Sequence, residues 1–168
     1  DKAVRQAEQT IAVLGELGDE HGLARAWYLL ASVRFERCRF NAQRVAQEQA
    51  ITHAERAGEQ SYAARLRLEL GFGLVHGPVA REEAVVIVRE LLDWAQTHGH
   101  RGLEGGMLIA MAELEAMGGL VSQARALLVD AKAALADLGQ LAAIAAGSIG
   151  TGNVELLADD PARAEHEL

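Results

Sequence analysis

Histidines, paired glutamates, one thiol and a glycine cluster are the residues of this chain that could do chemistry. His98 and His100 flank Gly99. Two imidazoles this close would begin a metal site, but a structural zinc needs four ligands and no Cys or second His pair is spaced to complete the set. Histidine near a helix C-terminus, facing the negative end of the dipole, accounts for both. His53 and His76 fall in helical stretches, and Glu113 and Glu115 in another. No Ser, Cys or Asp partner at a recognisable spacing turns any of them into an acid–base set. Cys38 lies between Arg37 and Arg39, cations that lower a thiol pKa and would suit a redox sensor; a packing thiol at a helix end explains the same residue. The run Gly102-Leu103-Glu104-Gly105-Gly106 lacks the glycine spacing and the following Lys-Ser/Thr of a phosphate loop, and reads as small residues for close helix packing. The expectation is a chain without catalytic residues, cofactor or metal.

The elements that carry these residues are marked by regular punctuation. Leu17-Gly18, Ala57-Gly58, His98-Gly99 and Leu138-Gly139 recur at intervals of about 40 residues. Between them sit Phe40-Asn41, Gly77-Pro78, Gly118-Gly119 and Asp159-Asp160-Pro161, so each period splits into two segments of helical length. The units are 1–18 (partial), 19–58, 59–99, 100–139 and 140–168 (truncated). Helices are expected over about 3–17, 20–37, 41–57, 60–76, 79–97, 101–117, 120–138 and 140–157, with a last one from Pro161. Apolar spacing supports each: Val4, Ala7, Ile11 and Leu14; Leu23, Trp27, Leu30, Ala31 and Phe35; Ala42, Val45, Ala46, Ala50 and Ala54; Ala63, Leu66, Leu70 and Leu74; Val85, Val88, Leu91, Leu92 and Ala95; Ala124, Leu127, Leu128, Ala131 and Leu135. Asp19 or Glu20 can cap the second helix, and Pro78, Glu82 and Glu83 favour the start of the fifth. A hairpin cannot bury its apolar face alone, so the units stack. The predicted fold is all-α, a right-handed α-α superhelix (solenoid) of about four hairpins.

Half of the residues are hydrophobic but only seven are aromatic, so the interior is built from Ala, Leu, Val and Ile. No long apolar run or signal-peptide pattern occurs, which predicts a soluble chain with no membrane partner. The single Cys38 makes no internal disulfide, and the cytoplasm is the expected compartment. Residues 1–84 hold eleven basic and twelve acidic groups, residues 85–168 five and twelve. An acidic surface repels phosphate, so no direct nucleic-acid binding is expected, and Arg34, Arg37, Arg39 and Arg44 read as a solvated helix end or an interdomain contact. Neither end shows a polar capping repeat, which is read as a piece of a longer protein.

The segment Leu108-Ile109-Ala110-Met111-Ala112, followed by Gly119, Ala124, Ala131 and Leu138-Gly139, resembles a tetratricopeptide repeat. Trp27, Leu30 and Ala31 match the large, large, small pattern of that family's first helix, and Gly152 with Ala164 repeats its small pair. The period is longer than the family's usual 34 residues, and Gln43 stands where a small residue belongs. The segments from Leu17 to Trp27, Gly77-Pro78-Val79, Leu114 to Met117 and Val154 to Ala162 resemble more narrowly the C-terminal helical-repeat tail of large bacterial regulators. In these an ATPase module joins a nucleotide cyclase or a transcriptional activator domain. The resemblance implies a concave face lined by the first helix of each pair, carrying Arg25, Tyr28, Ser32, Phe35, Glu69, His76, Glu113 and Asn153. The Lys and Asn positions with which peptide-binding members grip a terminal carboxylate hold Tyr28 and Ser32, Glu69 and Gly73, Ile109 and Glu113, and Ile149 and Asn153, which disfavours that clamp. Tyr28 and Phe35 serve either a partner or packing between repeats.

The function expected is a non-catalytic module binding a protein segment or a neighbouring domain of its own chain, in bacterial signalling or transcription regulation. A small-molecule inducer sensor is the alternative. Self-association through Val4, Ile11, Ala164 and Leu168 is a further one.

Overall fold

The structure, a computed structural model, describes residues 2–136 and 141–167. Among the described residues there are nine helices and no strand: α1 (Lys2–Leu17), α2 (Glu20–Phe35), α3 (Phe40–Arg56), α4 (Gln60–His76), α5 (Arg81–Thr97), α6 (Arg101–Met117), α7 (Val121–Ala136), α8 (Leu141–Leu157) and α9 (Pro161–Glu167). The Leu138-Gly139 turn and Leu168 lie outside the described residues. No described helix is long and apolar enough to cross a membrane.

The periodicity has a backbone origin. Gly18, Cys38, Gly58, Gly99, Gly119 and Asp159 adopt φ between 55° and 79°, and the next residue's N–H donates five residues back. Asp19 donates to Leu14, Arg39 to Arg34, Glu59 to Ala54, His100 to Ala95, Leu120 to Glu115 and Asp160 to Glu155, all at 2.8–3.0 Å. This closure satisfies a terminal carbonyl of the outgoing helix and reverses the chain. Glycine takes the left-handed conformation without a Cβ clash, which is why Gly58 and Gly99 were legible as turns. Cys38 and Asp159 occupy the same conformation with side chains. The first mid-period turn is therefore centred on Cys38, and Phe40, expected at a break, begins α3. The Asp19 carboxylate caps α2 by accepting from the Gly22 N–H at 2.9 Å, and that of Asp160 accepts from Arg163 N–H at 3.1 Å at the start of α9.

The chain forms two compact units, Asp1–Leu70 and Gly71–Leu168. In the first, α2 packs on α1 and α3. Ala7, Leu30, Ala31 and Ala46 form one core with Val4, Ile11 and Trp27 against it, and Ala24, Ala54 and Ala63 form another with Tyr62. Small residues at spacings of three and four let the axes approach closely. Val45 does not join this face: it is 52 % exposed. Gln47 is buried instead, because its amide donates to the Leu66 carbonyl at 2.9 Å and so meets its hydrogen-bonding need inside the core.

In the second unit α6 is the central helix, packed on α5, α7 and α8, with α8 also against α7 and α9. Leu108, Ile109, Ala112, Ala116, Ala124, Leu128, Ala131, Leu135 and Val154 make its core. Each unit is thus a helical-repeat arrangement whose elements pack on their neighbours in sequence order, each hairpin covering an apolar face its neighbour cannot bury alone.

Candidate functional site

In the first unit, α2 and α4 bring a tyrosine pair and two arginines together. Tyr28 and Tyr62 meet edge to face, centroids 6.3 Å apart. The Arg25 guanidinium lies 4.6 Å from the Tyr62 centroid; that of Arg65 lies 5.0 Å from Tyr62 and 5.6 Å from Tyr28. Arg25 donates to Glu59 at 2.6 Å, Glu59 also contacts His21, and Arg65 sits 3.7 Å from Glu69. Burial and the hydrogen bond to Glu69 push the Tyr28 phenol above its ordinary pKa. Burial raises Tyr62 as well, against the pull of both arginines, while the Arg25 hydrogen bond lowers Glu59.

This cluster has a polarity. Arg25 and Arg65 side chains are 47 % and 55 % exposed, whereas their carboxylate partners Glu59 and Glu69 are 21 % and 38 % exposed. The arginine side chains are the more exposed members of both pairs. Exposed Leu29 shares α2 with Arg25 and Tyr28.

Of the residues expected on this face, Arg25, Tyr28 and Glu69 come together. Ser32 bonds the Tyr28 carbonyl at 3.0 Å and so serves its own helix. Phe35 stands apart at the end of α2, 56 % exposed and edge to face with Phe40 at 6.0 Å, rather than in the buried stripe of that helix. Sequence reasoning passed over Tyr62, Arg65 and Glu59, though Tyr62 follows Tyr28 by close to the length of one hairpin.

In the second unit, His76, Glu113 and Asn153, from α4, α6 and α8, also converge. Glu113 is 2 % exposed. Its Oε2 accepts from the Asn153 amide at 3.2 Å and lies 3.8 Å from His76 Nε2. Burial raises the Glu113 pKa above the ordinary carboxylate value, and the Asn153 hydrogen bond and His76 act against that rise. The second buried glutamate, Glu155, is held by Arg125 through Nε at 3.1 Å and Nη2 at 2.5 Å, with Arg163 Nε at 3.3 Å. The sequence carried no signal for this triad beyond opposite charges on separate helices.

The Nδ1–H of His98 donates to the Trp94 carbonyl at 2.8 Å, and both His98 and His100 stack on the Trp94 ring at 4.1 and 5.2 Å. They form a helix-end stack. Among the described residues no three His, Cys, Asp or Glu side chains are placed to hold a metal ion. His53, read from sequence as unpartnered, lies 2.5 Å from Glu20 and ties α3 to α2. Arg34 donates to the Ala42 carbonyl at 2.9 Å across the α2–α3 turn.

No protein-family model matches this chain, and comparison with the curated proteins finds no match.

Proposed function

We propose that this chain is a non-catalytic interaction module whose α2–α4 face in the first unit docks a protein segment, either from another protein or from a neighbouring domain of its own chain. The observation that carries the reading is the Arg25, Tyr62, Tyr28, Arg65 cluster with its half-exposed arginine side chains. Tyrosine and arginine are enriched among residues that dominate protein interfaces: tyrosine brings a large, rigid, amphipathic ring, and arginine a planar guanidinium with several donors that stacks on aromatic faces. The resemblance to tetratricopeptide repeats and to the tails of bacterial ATPase-linked regulators supports the same reading, in which the output belongs to other domains. The excess of acidic groups in the second half of the chain argues against a phosphate-backbone partner.

The test separates docking from packing. Tyr28 and Tyr62 also pack α2 on α4, so changing them risks the fold; Arg25 and Arg65 are half exposed and can be reversed in charge. Wild type and Arg25→Glu/Arg65→Glu are used as bait in lysate, with folding checked by circular dichroism. A partner held by wild type and lost by the folded variant supports the site; a partner held equally by both removes it. A metabolite that raises the Tm of wild type, with no protein captured by either, favours the inducer-sensing alternative.

A further inference from the structure

Glu113 lies almost wholly out of water, and its polar neighbours on the elements packed around α6 are few. From α4 comes His76, 54 % exposed, and from α8 the Asn153 amide. A cation of α5, Arg81, is engaged by the Leu114 carbonyl at 2.7 Å and Glu115 at 3.0 Å. One of α7, Arg125, is engaged by Glu155, the other carboxylate of α8. Among the described residues, a neutral amide and one imidazole are the groups that answer the Glu113 charge. The site has no slack either: a Cβ at Gly150 of α8 would fall 2.5 Å from Ile109 Cγ2 and 2.8 Å from Glu113 Oε1. A buried carboxylate without a committed cation is costly when ionised and inexpensive when protonated or faced by an imidazolium.

We propose that His76, Glu113 and Asn153 form a proton-operated latch in the second unit that holds α8 against α6 more tightly as pH falls from mildly alkaline to mildly acidic. Either of two protonations closes it. A proton on Glu113 removes the buried charge and leaves the Asn153 amide an uncharged partner, and a proton on His76, whose Nε2 lies 3.8 Å from the carboxylate, supplies the missing cation. The sign follows from linkage. The Glu113 pKa is raised on folding, so the native state binds the proton more readily than the unfolded chain, and stability is lost as pH rises through the raised value. The latch does not depend on which partner the first unit binds.

The experiment is hydrogen exchange read by mass spectrometry, with Tm alongside, on wild type and Glu113→Gln between about pH 5 and pH 8, exchange being corrected for its intrinsic pH dependence. Wild-type α8 is expected to gain protection several-fold on acidification. Glu113→Gln, which keeps shape and an acceptor for Asn153, is expected to be protected at both ends of the range with a flat profile. A variant profile parallel to wild type, or wild-type α8 protection that does not change with pH, overturns the latch. If Glu113→Gln does not fold, Asn153→Asp decides. A second carboxylate beside the first should steepen the loss of Tm toward alkaline pH, and a slope equal to wild type overturns the proposal.

Discussion

Two glutamates in the second unit are buried to the same degree, each 2 % exposed, and they differ in what surrounds them. Glu155 has two arginines, one of them holding both of its oxygens; Glu113 has an amide and a half-exposed histidine. Depth of burial therefore does not set the role of a buried charge; the completeness of its compensation does. A carboxylate with charge-assisted partners staples α7, α8 and α9. One whose partners are an amide and a half-exposed imidazole has its pKa raised by burial instead.

The comparison can be broken by mutation. The largest effect is expected from Gly150→Ala, which forces a methyl into Ile109 and Glu113 where α8 meets α6. Overpacking of this kind costs about 1–3 kcal/mol, read as a Tm loss of about 2–10 °C in a chain of this size; an unchanged Tm would mean that α8 shifts freely and that the contact around Glu113 is loose. Next comes Arg125→Met, which takes the bidentate partner from Glu155 while keeping much of the stem. Thermal unfolding should show a Tm loss of several degrees at neutral pH that shrinks in acid, because Glu155 then behaves as Glu113 does. Equal losses at both pH values would show that Arg125 acts by packing alone.

Smaller, and opposite in sign, is Glu113→Gln: a Tm gain of about 2–4 °C at about pH 8, fading in acid as the wild-type carboxyl takes up its proton. A destabilised variant at alkaline pH would equate the two glutamates and end the contrast. The smallest effect belongs to His76→Ala, an exposed change expected to stay within about 0.5 kcal/mol both at about pH 8 and in acid, where the Glu113 carboxyl carries its own proton. Urea titration at the two pH values measures it.

Much of the helical layout was legible. The helices over 60–76 and 101–117 fall where the apolar spacing and turn signals placed them, because glycine and proline declare themselves in a sequence. The turn at Cys38 was displaced for the converse reason: a non-glycine residue in the left-handed region leaves no compositional mark. Val45 and Gln47 were exchanged because periodicity sees only polarity, whereas a buried amide is permitted wherever a carbonyl waits for it. The site was half legible. Arg25, Tyr28 and Glu69 share a face, as do His76, Glu113 and Asn153, yet Tyr62, Arg65 and the Arg125, Glu155, Arg163 triad were invisible as sites, since their meaning lies in partners about 30 to 40 residues away.

What the sequence by itself determined is the all-α class, the repeated turn and the faces that must be buried, because these follow from backbone conformation and from apolar residues at helical spacing, both local properties. Only the tertiary structure decided which charges are compensated. A carboxylate's ionisation depends on the dielectric and on the groups within a few ångströms, and those groups come from other helices. Glu113 and Glu155 read alike in the chain; the fold made one a staple and left the other free to respond to a proton.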